Sequence, residues 1–244
     1  MIPISDKLSR RRIGIPFMTY GLIALNLLAY FFQLGQGAQL NAFINQWGAV
    51  PARLENWTTD PLVLITLVTS AFLHGGWLHL LGNMLYLGVF GDNVEDELGH
   101  GRFLLFYLAG GVGAGLAQVF VTPGSPIPAI GASGAVAAVL GAYVVLHPRA
   151  PVNVLFFFFI FIRVITMPAF LVLGLWFVTQ LFNGAFALTS MNAAYTGGVA
   201  WWAHIGGFVI GVVVGWLARG QQPPPEPVII VRRPYEYNDT DYRR

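Results

Sequence analysis

The run Gly131-Ala132-Ser133-Gly134-Ala135-Val136-Ala137-Ala138-Val139-Leu140-Gly141-Ala142-Tyr143-Val144-Val145-Leu146 holds no charged side chain and a single serine near its start. From Ser133 to Leu146 it counts 14 residues, about 21 Å of helix at ~1.5 Å per residue. A hydrocarbon core is ~30 Å thick, so a helix of this length would begin roughly 9 Å beneath one membrane surface. The uncharged stretch Thr122–Ile130 would dip inward to meet it. Non-helical backbone at that depth is tolerated only around protein or a water-filled cavity. The run therefore predicts a wet pocket at Ser133, inside a bilayer.

The rest of the chain calls for the same solvent. Of 244 residues 56% are hydrophobic and 10% charged, and the mean hydropathy is +0.64. A water-soluble domain carries about 25% charged residues, too many for this chain to be one. There are no cysteines, which excludes disulfides, thiol catalysis and cysteine metal sites. The N-terminus is basic and then apolar, but the apolar stretch is long and no small-residue cleavage site follows. It reads as a retained first helix rather than a signal peptide.

Working outward from Ser133, six segments approach the ~20 residues needed to cross a bilayer. They lie near 16–35, 75–91, 103–121, 132–147, 166–184 and 199–218. Val152–Ile162 is also apolar, but it is short, follows Pro148 and Pro151, and ends at Arg163. It reads as an interfacial or buried extended piece before Pro168 opens the fifth span. With six spans, Lys7, Arg10–Arg12, Arg102, Arg149, Arg163, Arg219, Arg232, Arg233, Arg243 and Arg244 share one side, leaving Arg53 on the other. The positive-inside rule then makes both termini cytoplasmic, and a seventh span would split the set. The expected fold is an all-α integral membrane bundle of six transmembrane helices over 14–219. A basic cytoplasmic N-terminus (1–13) precedes it and a disordered cytoplasmic tail (220–244) rich in proline and charge follows. The external loop, about 36–74, spaces Phe43, Trp47, Leu54 and Trp57 among polar residues, as an interfacial segment would. Gly110, Gly111, Gly113 and Gly115 do not fit a dinucleotide fingerprint and read as helix packing.

In this topology spans 2, 4 and 6 run the same way, which brings His79, Asn83, Ser133 and His204 to one depth in the outer leaflet. A serine hydroxyl needs a base, and His204 is the histidine in spans 3 to 6 at matching depth. Ser133 opens a helix, so its own N–H lacks an intrahelical partner. His79 and Asn83, four residues apart on one helical face, would supply two further donors to an oxyanion. Gly207, Gly211 and Gly215 stripe span 6 with His204, and Ala137 and Gly141 stripe span 4 with Ser133, at the spacing that lets helices approach closely. No Asp or Glu occurs in spans 3 to 6, which points to a Ser–His dyad. Alone, the serine would be helix packing, and a lone histidine or asparagine would serve structure or ion transport. Their coincidence at one depth, with glycine stripes behind it, favours catalysis. His74 is divided evenly between water handling and structural bonding. Glu95 is expected to bond within the cytoplasmic loop, with Arg102 as its partner, and His100 and His147 to be ordinary interfacial residues.

Over about residues 14–218 these elements resemble the rhomboid intramembrane serine proteases of compact six-helix bacterial type. The matching stretches are Phe72-Leu73-His74-Gly75-Gly76-Trp77-Leu78-His79-Leu80-Leu81-Gly82-Asn83, Val94-Glu95-Asp96-Glu97-Leu98-Gly99, Gly131–Gly134, and His204 with Gly207 and Gly211. The resemblance implies Ser133 as nucleophile, His204 as base and acid, and His79, Asn83 and the Ser133 backbone as oxyanion hole. His74, Gly131, Gly134, Gly207 and Gly211 support that site, and neither a metal nor a cofactor is implied. It further implies a multi-pass protein of the inner cell membrane. Its partners would be lipid and single-span membrane substrates, with no nucleic acid. Substrates would enter between spans 2 and 5 and be cut near the outer face, with Thr189–Gly198 and the top of span 5 as the mobile cap. Two departures stand out. Ala137 replaces an aromatic residue that stacks on the histidine, leaving Trp201, Trp202 or packing alone to orient His204, and Arg53 follows Ala52 where a Trp-Arg pair is familiar. The rival readings are a silent client-binding relative, which would usually lack the serine or histidine, and a transporter, which would need intramembrane carboxylates or broken helices.

Overall fold

A computed structural model of the chain describes residues 2–8, 13–158, 161–189 and 199–219. Arg10–Arg12, most of the expected cap at Thr189–Gly198 and the expected tail at 220–244 lie outside the described residues.

Among those residues the helices are α1 (Phe17–Leu34), α2 (Leu40–Trp47), α3 (Pro51–Leu54), α4 (Thr66–Thr69), α5 (Trp77–Leu98), α6 (His100–Val121), α7 (Ser133–Leu146), α8 (Ala169–Thr189) and α9 (Trp201–Arg219). Of these, α1, α6, α8 and α9 are each long and apolar enough to cross a membrane alone. Helix α5 qualifies together with the preceding segment Pro61–Phe72, to which it is bent by 83°, and α7 is shorter, as its sequence requires. Leu28, Phe32, Leu105, Phe120, Phe182 and Trp216 are all more than half exposed on their helices. So much exposed apolar surface is stable only in lipid, and the chain is a multi-pass membrane protein.

The helices surround α7. Every residue from Gly134 to Tyr143 is buried, and α5, α6, α8 and α9 all pack against it. A helix that is apolar all round has no face for solvent and belongs at the centre.

The all-α expectation needs one amendment. Strands β1 (Ile2–Asp6), β2 (Pro151–Phe158) and β3 (Phe161–Pro168) form an antiparallel sheet in that order. The stretch expected as an extended piece is a hairpin, and its second strand continues through Pro168, so the fifth helix starts at Ala169 rather than 166. Alternation explains the choice: Val152 and Val154 are buried while Phe157 is 56% exposed. Asn153 bridges the three strands, donating to Ser5 Oγ (2.9 Å) and accepting from Thr166 Oγ1 (2.7 Å). Because β1 precedes α1 and the hairpin joins α7 to α8, this pairing sets both connections at one end of the bundle.

The same end is held by Glu95, fully buried near the close of α5. Its carboxylate accepts from the N–H groups of Met18 (3.0 Å) and Thr19 (2.7 Å), from Thr19 Oγ1 (2.7 Å), and from His100 Nδ1 (2.5 Å). No capping side chain of α1's own serves its first turn, so Glu95 supplies the acceptor from another helix. Its partners are therefore the α1 terminus and His100, not Arg102. His100 also stacks on Phe17, with ring centroids 3.7 Å apart. At the other end, Arg53 donates to the carbonyls of Asn45 and Gln46 at the close of α2. Ala49 pairs with Ala129, which pins the loop ahead of α7.

Removing the Glu95 carboxylate strands these donors, a loss of about 1–3 kcal/mol or more. Glu95→Ala should lower the unfolding midpoint in detergent, while Arg102→Ala leaves it in place.

Candidate active site

Contact between α7 and α9 starts at glycine. A Cβ on Gly207 would run into the carbonyl of Gly134, one on Gly211 into that of Ala138, and one on Gly141 into that of Phe208. With hydrogen in these places the two backbones touch, and Ser133 on α7 comes within reach of His204 on α9. The Ser133 Oγ to His204 Nε2 distance is 2.8 Å.

The other ring nitrogen, Nδ1, lies 2.8 Å from Gln180 Oε1 on α8. The aromatic cover expected of Trp201 or Trp202 comes partly from elsewhere. Trp176 of α8 lies across the imidazole at 5.9 Å and 35°, and Trp201 meets it edge-on at 6.1 Å. Thus α8, rather than the position of Ala137, furnishes the ring over His204.

His79 and Asn83 stand across a cavity of about 620 Å³ that both share with Ser133 and His204. Otherwise its walls are largely apolar, with Leu78, Val136 and Trp176 among them. His79 Nδ1 accepts from the Gly75 N–H (3.3 Å), which leaves the proton of a neutral ring on Nε2, facing the site. Asn83 Nδ2 donates one hydrogen to His74 Nε2 (3.0 Å) and keeps a second for the cavity. His74 is completely buried, and its backbone is clamped at both polar atoms by Gln33 of α1. Of its two sequence readings, bonding that orients Asn83 is the one this geometry matches.

Gly131 closes the arrangement. Its φ of +123° is a conformation that side chains resist, and its N–H donates to Ser70 O (2.9 Å). A Cβ here would sit 2.6 Å from His79 Nε2 and 3.5 Å from Ser133 Oγ, so the two groups flank the point this glycine leaves open. Gly134 is equally confined, since its Cβ would sit 2.6 Å from that of Ala114. No side chain caps α7, which leaves the Ser133 N–H at an uncapped, electropositive helix start. A hydroxyl bonded to an imidazole, with several N–H donors beside it, is equipped for acyl transfer.

Sequence reading missed the glutamines. Gln33 holds His74, Gln180 meets His204, and Gln118 Oε1 accepts from the Ala203 N–H (3.3 Å), one residue before the histidine. Their signal was available, because an amide inside an apolar span is costly unless it bonds to something that matters.

Comparison with known proteins gives the lineage. Residues 61–221 match the family model described as the Rhomboid domain. The chain is 40% identical over 143 residues to "Rhomboid protease GluP" of Bacillus subtilis, covering 56% of this chain and 26% of that one. It is 32% identical over 155 residues to "Rhomboid-like protein 11, chloroplastic" of Arabidopsis thaliana, covering 62% and 51%. To "Rhomboid protein 1, mitochondrial" of Saccharomyces cerevisiae it is 31% identical over 157 residues, covering 62% and 41%. The chain therefore spans about half or less of the length of these relatives. A family match over most of its residues, on a multi-pass helical frame, means that the chain belongs to the rhomboid family.

Proposed function

We propose that this chain is an intramembrane serine endopeptidase that cuts single-span transmembrane proteins near the outer membrane face through a Ser133–His204 dyad. The observation that carries this reading is the 2.8 Å bond between Ser133 Oγ and His204 Nε2, set in a cavity that His79 and Asn83 share. Similarity to a relative named as a rhomboid protease supports it.

In the proposed reaction Ser133 Oγ attacks the scissile carbonyl as its proton passes to His204 Nε2. The oxyanion takes hydrogen bonds from the Ser133 N–H, His79 Nε2–H and Asn83 Nδ2–H. His204 then returns its proton to the departing amine, which leaves an acyl-serine. Water then attacks the acyl carbon and gives a proton to His204, which passes it to the departing Ser133 Oγ, releasing the new carboxyl end and restoring both residues. The cavity has α5 on one side and α8 on another, which suits a substrate arriving sideways between them. A peptide must be extended to be cut, so helix-weakening residues near the scissile bond should favour cleavage. We take all six long helices as spans, with α5 bent and α7 short. Both termini are then cytoplasmic, on the side of the sheet.

Cleavage of a single-span substrate in liposomes by wild type, beside Ser133→Ala, tests the reading. Cutting by wild type alone establishes the serine protease. No cutting by either folded protein, across several substrates, would favour client binding, and equal cutting by both would name another nucleophile. His204→Ala should abolish fluorophosphonate labelling of Ser133 and lower turnover by ~10³-fold or more. Asn83→Ala should slow turnover roughly 100-fold with substrate binding nearly intact. Gly131→Ala should silence labelling, since the added methyl displaces His79, at some cost in stability from the strained backbone; unchanged labelling would separate His79 from the site.

A further inference from the structure

Gln180 is 5% exposed in the middle of α8, a largely apolar helix, and the dyad as proposed does not use it. Its amide has one sensible orientation. Nε2 donates to the carbonyl of Trp176 (3.1 Å) and to Thr179 Oγ1 (3.1 Å), while the Thr179 hydroxyl itself donates to that same carbonyl (2.6 Å). Both partners of the amide nitrogen are therefore acceptors towards it. Turning the amide over would aim Oε1 at the Trp176 carbonyl, oxygen against oxygen. Oε1 is left to face His204 Nδ1 at 2.8 Å, and an amide oxygen can only accept.

That bond decides where the imidazole carries its proton. A neutral histidine has one N–H. If Nδ1 donates to Gln180, Nε2 keeps its lone pair, and Nε2 is the atom 2.8 Å from Ser133 Oγ. In the other tautomer Nε2 would present a hydrogen to the serine and could not take its proton. The rings around Gln180 hold it in register: Phe177 stacks on Phe208 of α9 with centroids 4.4 Å apart, and Trp176 lies beside both His204 and Phe208.

We propose that Gln180 is a positioning residue that fixes His204 as the Nδ1–H tautomer, in the place where a soluble serine hydrolase keeps a carboxylate. A neutral amide fills this role in a lipid-embedded site without the cost of burying a charge there. The inference rests on the dyad reading for its consequence in catalysis, but the tautomer itself can be observed whether or not the protein cuts anything.

The test is ¹⁵N NMR of the histidine-labelled chain in detergent, with His204→Ala assigning the signal, on wild type, Gln180→Leu and Gln180→Glu. Wild type should show His204 protonated at Nδ1 and bare at Nε2, and Gln180→Leu should shift the ring towards a mixture of tautomers. In the same samples fluorophosphonate labelling and turnover should fall about 10- to 100-fold in Gln180→Leu, in kcat with KM unchanged. Gln180→Glu, which as the neutral acid keeps an acceptor towards Nδ1 and a donor towards the Trp176 carbonyl, should recover most of that loss. An Nε2–H ring in wild type, or a Leu variant with unchanged tautomer and kcat, would overturn the assignment. Absence of Ser133-dependent labelling alongside an Nδ1–H ring would instead count against the dyad reading and leave the assignment standing.

Discussion

Everything at the site depends on two helices touching through their backbones. Lipid offers no hydrophobic drive between apolar helices, so association rests on close van der Waals fit and on polar contacts. Glycines at 141, 207 and 211 provide the fit, since any side chain there would occupy a neighbouring carbonyl. Only at that separation can a hydroxyl on α7 and an imidazole on α9 form a 2.8 Å bond. The central position of α7 follows from the same fact, because a short helix contacted on every side can end below the membrane surface without exposing its terminus to lipid.

The polar groups brought inside this way each need a second partner. A buried donor or acceptor left alone costs 1–3 kcal/mol or more, and the structure answers with a layer of amides. Gln33 of α1 fixes the backbone of His74, His74 fixes Asn83, and Gln180 of α8 bonds His204. The groups of the proposed site are carried on α5, α7 and α9, and their supports come largely from α1, α6 and α8. Alternate helices thus do different work, which is why a chain so poor in charge still holds its side chains in fixed directions.

Most of the long apolar helices were legible because apolar runs of membrane length are the strongest signal a sequence carries, and the positions of arginine and lysine gave their expected directions. Ser133, His204, His79 and Asn83 stood out because their depths could be compared. The supports were harder to see. Gln180 looks like one of several uncharged polar residues in a largely apolar run until α8 and α9 are packed, and Glu95 could not be matched to the α1 terminus from spacing alone. Strand β1 is five residues whose partner lies far along the chain, and no local pattern announces such a pair. The hairpin was legible as a non-spanning extended piece, but residues 166–168 read as the start of the fifth span because the apolar run continues through them into the helix.

That distant pairing has a consequence for how the molecule is made. Ile2–Asp6 leaves the ribosome early, and the strand it joins follows four of the long helices later. Until then its backbone donors and acceptors have water as their partner. Once α1, α5, α6 and α7 have docked, the ends to be joined are already neighbours, and closing the sheet costs far less chain entropy than the sequence separation implies. The sheet can therefore close only once Pro151–Phe158 has been made, after α7 and before α8 and α9.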